Sequence, residues 1–182
     1  MTAQVNIRPV LHGDWPGIAA LEARTYAGSS LVEGQAALES KGRASPDTCF
    51  VLELDGHVRG YLLSLPYPLF QYPHLAQTEE PVHRSRNLHL HDVVVAEEQR
   101  GRGWGTGLVN RLTAAASPAY ERISLVAVDG MATFWAARGY RPHPEVGLPE
   151  SYGDDAVYMS SEVPATGTGG SKEVSRFPCS VS

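Results

Sequence analysis

Apolar and polar residues follow two periods along the chain, one typical of strands and one typical of helices. Strand-like apolar or alternating runs occupy residues 5–8, 48–54, 58–65, 88–95, 123–128 and 156–162, and a further strand is predicted to begin at Tyr140. Helical spacing of apolar residues predicts helices over residues 14–25, 34–41, 106–116 and 131–138. The chain therefore mixes strands and helices as far as residue 162.

The order of these elements predicts one mixed sheet. Asp55-Gly56, between the second and third strands, is a strong signal for a β-hairpin. From residue 88 onward a strand, a helix and another strand follow one another, which predicts that the two strands share one sheet. Residues 123–128 are nearly all apolar, as in a strand buried on both faces. We therefore expect an α/β fold with a mixed central sheet and helices on both faces.

Two segments carry few signals of regular structure. Residues 66–86 contain four prolines and are predicted to form a long loop, either facing a substrate or serving as a plain insertion. From Pro164 onward the chain turns to Thr, Gly and Ser, which predicts a flexible tail. We expect a single domain over residues 1–163 and a flexible C-terminal tail over residues 164–182.

Composition narrows the class of protein. The 182 residues are 42% apolar and 19% charged, which suits a globular domain with one core. A formal net charge of −5 argues against nucleic acid as a partner. The sequence has neither a signal-peptide pattern at its start nor an apolar stretch approaching the ~20 residues of a membrane span. Its two cysteines show no metal-like spacing. We expect a cytoplasmic monomer or homodimer that does not bind membranes.

A glycine-rich basic turn follows the strand at residues 88–95. It runs from Arg100 to Gly107 and reads R-G-R-G-W-G-T-G. Glycines let backbone N–H groups approach an oxyanion, the N-terminus of the next helix adds positive charge, and Arg100 and Arg102 carry guanidinium groups suited to phosphate. The turn is predicted to cradle phosphate; the alternative is a glycine-rich turn with solvated arginines.

Other nucleotide motifs fail at this turn. The P-loop pattern G-x-x-x-x-G-K-[ST] requires a lysine that the turn does not contain. The dinucleotide pattern G-x-G-x-x-G fails in every register, because its third glycine falls on Thr106, Leu108 or Asn110. The pattern that fits is R-x-x-G-x-G, from Arg100 through Gly103 to Gly105.

Two histidines lie just before the glycine turn. His89 and His91 are two residues apart on a strand, so their side chains are expected on the same face. Three explanations remain open from residue types alone. The pair could handle protons, since imidazole titrates near neutral pH. It could bind a metal ion, although no third ligand has a supporting motif. It could also be a packed, hydrogen-bonded pair.

Residues 87–107 resemble the acetyl-CoA-binding strand, loop and helix of the GNAT acetyltransferase superfamily, whose loop reads [RQ]-x-x-G-x-[GA]. Residues 131–140, M-A-T-F-W-A-A-R-G-Y, resemble its second motif, A-x-x-F-Y-x-x-x-G-[FY]. The resemblance covers most of residues 5–162. It implies a mostly antiparallel mixed sheet, the acyl-CoA N-acyltransferase fold and acetyl-CoA as co-substrate.

Within that superfamily, the strand H-L-H-D-V-V-V at residues 89–95 looks most like the H-L-H-x-L-A-V strand of the serotonin (arylalkylamine) N-acetyltransferase branch. Residues 21–26 resemble the first helix of the same branch. This likeness implies that His89 and His91 are catalytic and pass the proton of the amine to solvent. The implied acetyl-CoA contacts are Val93, Val94, Val95, Arg100, Gly101, Arg102, Gly103, Trp104, Gly105, Thr106 and Trp135, and the implied substrate contacts are Tyr26, Leu31 and Tyr67.

One position departs from the superfamily pattern. Where family members usually carry a tyrosine that can protonate the departing thiolate, this chain has Trp135. An indole N–H can donate a hydrogen bond but does not give up a proton near neutral pH. Tyr26, Tyr152 and Tyr158 are the possible replacement acids. The usual asparagine before the second motif is Asp129 here.

The expected function is transfer of an acetyl group from acetyl-CoA to a primary amine of a small molecule, possibly an arylalkylamine, by direct attack. A backbone N–H at Val93 or Val94 is expected to stabilise the oxyanion. Three alternatives stay open at this point. They are a non-catalytic acyl-CoA-binding sensor module, an acyltransferase for a different acyl-CoA, and a zinc protein built on the two histidines.

Overall fold

The computed structural model describes residues 4–80 and 82–165. Most of the predicted C-terminal tail, residues 166–182, lies outside the described residues, as does Cys179. Of the helices in this described part of the chain, none has the length and apolar content needed to span a lipid bilayer.

Within the described residues, seven strands form one sheet, and four α-helices surround it. The strands are β1 (Val5–Pro9), β2 (Phe50–Leu54), β3 (His57–Pro66), β4 (Asn87–Val95), β5 (Arg122–Ala127), β6 (Arg141–Pro142) and β7 (Val157–Glu162). The helices are α1 (Trp15–Thr25), α2 (Gln35–Arg43), α3 (Trp104–Ala116) and α4 (Ala132–Ala136). The strand order is β1-β2-β3-β4-β5-β7-β6. Only the β4–β5 pair is parallel, so the predicted mixed, mostly antiparallel sheet is confirmed.

Alternate residues of the central strands pack into two hydrophobic cores, one on each face of the sheet. Leu52, Leu62 and Leu88 pack in the cluster that contains the buried residues of α3 and Trp135 of α4. Val51, Tyr61 and Leu63 pack in the cluster that contains the buried residues of α1 and α2. This period of two buries both faces of the sheet, as strand geometry requires. The prediction of helices on both faces is therefore confirmed.

A β-bulge interrupts strand β4 at His91. Leu63 of β3 pairs with Asp92, but the next residue of β3, Ser64, pairs with Leu90, which leaves His91 as the extra residue. Before the bulge Leu90 packs in the α3 cluster, whereas beyond it Val94 packs in the α1–α2 cluster. The bulge therefore shifts the alternation by one residue, and both His91 and Asp92 make their contacts on the α1–α2 side.

Strands β4 and β5 part beyond Leu90. They pair in parallel only from Asn87, opposite Arg122, to Leu90, opposite Leu125. Strand β4 then continues to Val95, so its second half has no partner strand on the β5 side. The hydrogen-bonding edge of residues 91–95 faces a gap inside the sheet, and the chain enters helix α3 at the same end.

Helix α3 and strand β6 are two of the elements whose bounds differ from the sequence prediction. Helix α3 begins at Trp104, two residues before the predicted start, because Gly103 adopts a left-handed φ of 82° and acts as its N-cap. The strand predicted from Tyr140 is reduced to Arg141–Pro142, which pairs with the middle of β7.

Candidate active site

A cavity of about 670 Å³ opens where β4 and β5 part. The predicted site residues in its wall are His91, Val93, Val94, Val95, Arg100, Gly101, Gly103, Trp104, Gly105, Thr106, Trp135, Tyr26 and Leu31. Among the described residues, His89, Arg102 and Tyr67 are predicted site residues that lie outside this wall. The glycine turn and the start of α3 form one end of the cavity, and the α1–α2 connection forms the other.

The glycine turn leaves open space at the N-terminus of α3. Gly101 and Gly103 have φ values of 75° and 82°, and a Cβ built on either would meet no atom within 4 Å. The first N–H groups of a helix have no intrahelical partner, so those at Trp104, Gly105 and Thr106 face this space. This open N-terminus suits an oxyanion, and the phosphate cradle stays a prediction.

Arg138 adds a guanidinium group at the start of α3, besides that of Arg100 in the cavity wall. Its Nη2 donates to the hydroxyl of Thr106 at 2.5 Å, and its guanidinium lies 3.4 Å from the centroid of the Phe134 ring. Its Nε is buried and has no hydrogen-bond partner within the described residues. Sequence reasoning gave Arg138 no role, because a single arginine before a helix-ending glycine has no distinctive signal.

Unpaired polar atoms line the cavity near the turn. Gln99 Oε1 and Trp104 Nε1 are both buried without a hydrogen-bond partner in the part of the chain that the structure describes. Buried polar atoms are rarely left unpaired. One acceptor and one donor therefore remain for a polar ligand.

His91 is the titratable ring in the cavity wall. Its side chain is 1% exposed, and its Nε2 lies 2.5 Å from Oε1 of Glu33, in the connection between α1 and α2. Its other ring nitrogen, Nδ1, is buried and has no partner among the described residues. Because the ionised carboxylate holds a hydrogen on Nε2, the neutral ring keeps a lone pair on Nδ1.

Glu33 is ionised although it is buried. Burial alone would raise its pKa, but the pairs with His91 and with Lys41, at 2.5 Å, lower that pKa to about 2. Glu33 is thus a carboxylate at any pH at which His91 can act as a base. Sequence reasoning missed both Glu33 and Lys41, since neither belongs to a motif.

Asp92 is bound by two tyrosines beside this pair. The hydroxyl of Tyr26 donates to Oδ1 at 2.7 Å, and that of Tyr61 donates to Oδ2 at 2.6 Å. Burial raises the pKa of Asp92, and the two hydroxyl groups oppose that rise. Burial and the neighbouring Asp92 also raise the pKa of Tyr26, so this phenol holds its proton firmly.

His89 occupies a different environment from His91, although the two ring centroids are 6.5 Å apart. It is 1% exposed, and its Nδ1 lies 3.0 Å from Oγ of Ser124, which also accepts from Asn87 Nδ2 at 2.8 Å. Burial, followed by the nearby His91, lowers the pKa of His89 to about 3. His89 is therefore neutral near pH 7 and does not reach the cavity wall.

The depressed pKa of His89 has a consequence for stability that can be measured without any ligand. Because the folded pKa is about 3 and the ordinary value is 6.5, the unfolded chain holds one more proton than the folded chain between these pH values. His89 should then lower the free energy of unfolding by about 1.4 kcal/mol for each pH unit below its ordinary value.

Urea unfolding of wild type and His89→Gln at about pH 7.5 and about pH 4.5 checks this. Wild type should lose roughly 2–3 kcal/mol more than the variant. Equal losses in both proteins would show that His89 is not kept neutral by folding.

Three loops cover the end of the cavity opposite the glycine turn, and hydrogen bonds join them. They are the α1–α2 connection, the loop that follows β3 and the β6–β7 connection. The hydroxyl of Tyr152 donates to the carbonyl of Pro73 at 2.9 Å, and the hydroxyl of Ser30 donates to the carbonyl of Ser151 at 2.7 Å. The predicted loop at residues 66–86 contributes Leu75 to the wall. Tyr67 of that loop instead lines a separate open groove of about 650 Å³.

Each of the three tyrosines considered as an acid for the departing thiolate either donates its hydroxyl hydrogen to another group or lies outside the cavity wall. Tyr26 donates to Asp92, and Tyr152 donates to Pro73. Burial raises the pKa of Tyr152 and of Tyr158, and among the described residues that line the cavity Tyr158 does not occur. Trp135 lies in the wall at the position where the superfamily usually carries a tyrosine.

No metal cluster forms around the two histidines. Within residues 4–80 and 82–165, no three His, Cys, Asp or Glu side chains come together as ligands for a metal ion.

Solved structures with this fold show where the chain belongs. Ard1 from Thermoplasma volcanium superposes with a TM-score of 0.67 at 18% identity, covering 88% of this chain and 98% of that chain. The GNAT-like decarboxylase GphF in complex with isobutyryl-CoA gives a TM-score of 0.69 at 18% identity, with 87% and 100% of the two chains covered. At such low sequence identity, these superpositions show a shared fold and nothing more.

N-acetylglutamate synthase from Neisseria gonorrhoeae, complexed with coenzyme A and N-acetyl-glutamate, is a third such structure. It gives a TM-score of 0.66 at 20% identity, and the match covers 90% of this chain and 36% of that chain. None of the curated protein sequences matches the chain. A family model does match, over residues 15–140, which is well over half of the sequence. The protein belongs to the acetyltransferase (GNAT) family.

Proposed function

We propose that this protein transfers the acetyl group of acetyl-CoA to the primary amine of a small molecule with an apolar body, such as an arylalkylamine. The observation that carries the proposal is the unpaired Nδ1 of His91, buried in the cavity wall while Glu33 holds the opposite ring nitrogen. Family membership supplies the reaction class, and the cavity supplies the base and the acceptor chemistry.

The residues at the glycine turn fit the anionic part of acetyl-CoA. The free N–H groups at the start of α3, with the guanidinium groups of Arg100 and Arg138, can hold the pyrophosphate. Gln99 and Trp104 leave one acceptor and one donor unpaired in the same wall, which suits an amide. When bound, acetyl-CoA supplies an activated acetyl group as a thioester.

The parted edge of β4 supplies backbone donors. The N–H of Ala96 donates to the carbonyl of Arg59 on β3 at 2.8 Å. Because backbone direction alternates along a strand, the N–H groups of Val93 and Val95 point away from β3 and into the gap. Of the two residues considered from sequence, Val93 is therefore the one we assign to stabilise a developing oxyanion.

His91 is the group we assign to remove the proton of the amine. An alkyl ammonium, with a pKa of roughly 10 by analogy with lysine, must lose a proton before it can attack a thioester. Nδ1 can accept that proton, and the carboxylate of Glu33 stabilises the imidazolium that results. His89, which is neutral and outside the wall, serves in this mechanism to pack beside His91 and not as a second base.

The thiolate leaves without a protein acid in this proposal. The tyrosine hydroxyls that line the cavity, those of Tyr26 and Tyr152, donate to other groups and hold their protons firmly. A thiol with a pKa near 8.5, taking cysteine as the reference, is a tolerable leaving group near neutral pH.

The acceptor end of the cavity favours an amine with an apolar body. Its wall combines Tyr26, Leu31, Leu75 and Tyr152 with the carboxylate of Glu33. Rings and leucines can bury an apolar body of the amine. The likeness of the H-L-H strand to the serotonin (arylalkylamine) N-acetyltransferase branch supports the same class.

Incubation of the protein with acetyl-CoA and a panel of amines tests the proposal. Release of free thiol together with an acetylated product, identified by mass spectrometry, is the expected result, with phenylethylamine or tryptamine ahead of polyamines. Tight acetyl-CoA binding by calorimetry without turnover on any amine would instead favour the sensor module. Turnover only with a larger acyl-CoA would overturn the assignment of the acetyl group.

A further inference from the structure

Lys41 is a buried, charged residue that has no role in the reaction as proposed above. It lies on α2, and its side chain is 0% exposed. Its Nζ donates to Oε2 of Glu33 at 2.5 Å and to the backbone carbonyl of Gln77 at 2.9 Å. A buried ammonium is costly unless it is paired, so a lysine retained here needs a reason beyond packing.

On one side, Lys41 is the end of a chain of contacts that reaches the cavity. Glu33 binds Lys41 through Oε2 and His91 through Oε1, so the two side chains hold the carboxylate from both ends. The backbone N–H of Glu33 also donates to Oε1 of Glu22, at 2.5 Å. The carboxylate that orients His91 therefore has its own position fixed by α1 and α2.

On the other side, Lys41 holds the loop of residues 66–86. Gln77 follows Leu75, the residue of this loop that lines the cavity. A second hydrogen bond, from the backbone N–H of Glu79 to Oγ of Ser40 at 3.0 Å, ties the same part of the loop to the preceding residue of α2. Removal of the ammonium would leave the Gln77 carbonyl without this donor.

We propose that Lys41 is a positioning residue that fixes the Glu33 carboxylate against His91 and at the same time docks the 66–86 loop over the acceptor end of the cavity. The proposal rests on the proposed function, since it assigns Lys41 a role in the acetyl transfer that His91 carries out. It also gives a purpose to a long loop whose sequence left two explanations open.

The electrostatic consequence has a definite sign. Removal of the positive charge of Lys41 from this buried cluster favours protonation within the cluster, so the acid limb of the pH–rate profile should move to higher pH. The other titratable groups around this pair stay in place in the variant. They are Glu22 of α1, His89 and Asp92 of β4, and Tyr152 of the β6–β7 connection.

The test compares Lys41→Met with Arg43→Met. Arg43 lies on the same helix, but its side chain is 70% exposed and pairs with Glu39 at the surface. Lys41→Met should lower kcat by roughly 10- to 100-fold and move the acid limb of the pH–rate profile to higher pH. Arg43→Met should do neither. Lys41→Arg, which keeps the charge, should return the acid limb toward its wild-type position.

Two measurements need neither acetyl-CoA nor an amine. Amide hydrogen exchange over residues 75–80 should be faster in Lys41→Met than in Arg43→Met, because the loop loses its donor. The Nε2–H proton of His91, identified by NMR as the signal that His91→Gln lacks, should broaden or shift in Lys41→Met. If Lys41→Met does not fold, Lys41→Gln, which keeps a polar side chain, takes its place in every comparison.

The outcomes separate the two proposals. A wild-type protein without turnover on any amine would overturn the proposed function, while exchange and NMR would still decide whether Lys41 positions the loop and Glu33. A Lys41 variant with unchanged loop exchange, an unchanged His91 signal and an unchanged acid limb would overturn the positioning role, whatever its stability.

Discussion

Replacement of His91 by glutamine should lower kcat/KM for amine acetylation by about 10²- to 10⁴-fold near neutral pH, the usual contribution of a positioned base. The reason lies in the two ring nitrogens, one bound to Glu33 and the other buried in the cavity wall without a partner. Glutamine keeps a polar group toward Glu33 but cannot accept a proton from an ammonium. Rates across a pH series, with acetyl-CoA saturating, measure the effect.

The pH dependence distinguishes a lost base from a distorted site. In wild type, activity should rise with pH at the acid end, as it does for any reaction that needs an unprotonated base. In His91→Gln that limb should disappear, leaving a rate that follows only the free amine in solution. His89→Gln is the matched control, because His89 is neutral near pH 7 and lies outside the cavity wall, so its acid limb should stay in place. Loss of the limb in His89→Gln instead would transfer the role of base to His89.

The strands, the helices and the glycine-rich turn could be predicted from the sequence because their signals are local. Apolar periodicity located six of the seven described strands, all but the two-residue β6, and the signal at Asp55-Gly56 corresponds to the tight turn between β2 and β3. The R-x-x-G-x-G spacing located the turn whose Gly103 adopts a left-handed conformation at the start of α3. Short-range patterns are sufficient where neighbouring residues alone determine the geometry.

The arrangement of Glu33, Lys41 and His91 could not be predicted, because it depends on contacts between distant residues. Glu33 and His91 are 58 residues apart, and Lys41 reaches Gln77 across 36 residues. The bulge at His91 is likewise a property of its pairing with β3 and has no distinct signal in the strand itself. Alternation alone predicts His89 and His91 on one face, but it does not indicate that one is sealed against Ser124 while the other lines a cavity.

The predicted substrate contacts show the same limit of prediction from local sequence patterns. Tyr26 and Leu31 lie in the cavity wall, while Tyr67 lines a different groove. Tyr67 sits at the start of the 66–86 loop, and its backbone N–H donates to the carbonyl of Asn87 at 3.1 Å, which extends the β3–β4 ladder. The part of the loop that reaches the cavity, at Leu75, lies further along, and only the tertiary course of the loop reveals it.

Substitution of valine for Gly103 should weaken acetyl-CoA binding by about 10- to 100-fold, equivalent to about 1.4–2.8 kcal/mol. Gly103 has a φ of 82°, and the space beside it is empty to 4 Å. Valine is strained in this left-handed conformation by about 1–2 kcal/mol, and its methyl groups would occupy the space that the proposed phosphate must enter. Isothermal titration calorimetry with acetyl-CoA measures the change in affinity directly.

Two further glycine variants separate backbone strain from occupation of the cradle. Gly56 in the β2–β3 turn has a φ of 77° and equally open surroundings, yet it is not part of the cavity wall. Gly56→Val should therefore lower stability by a similar amount while leaving acetyl-CoA affinity unchanged. Gly103→Asn tolerates the left-handed conformation, so affinity that stays low in this variant identifies occupied space as the cause. Wild-type affinity in Gly103→Val would remove the phosphate cradle from the site, because neither strain nor bulk at that position could then matter to the ligand.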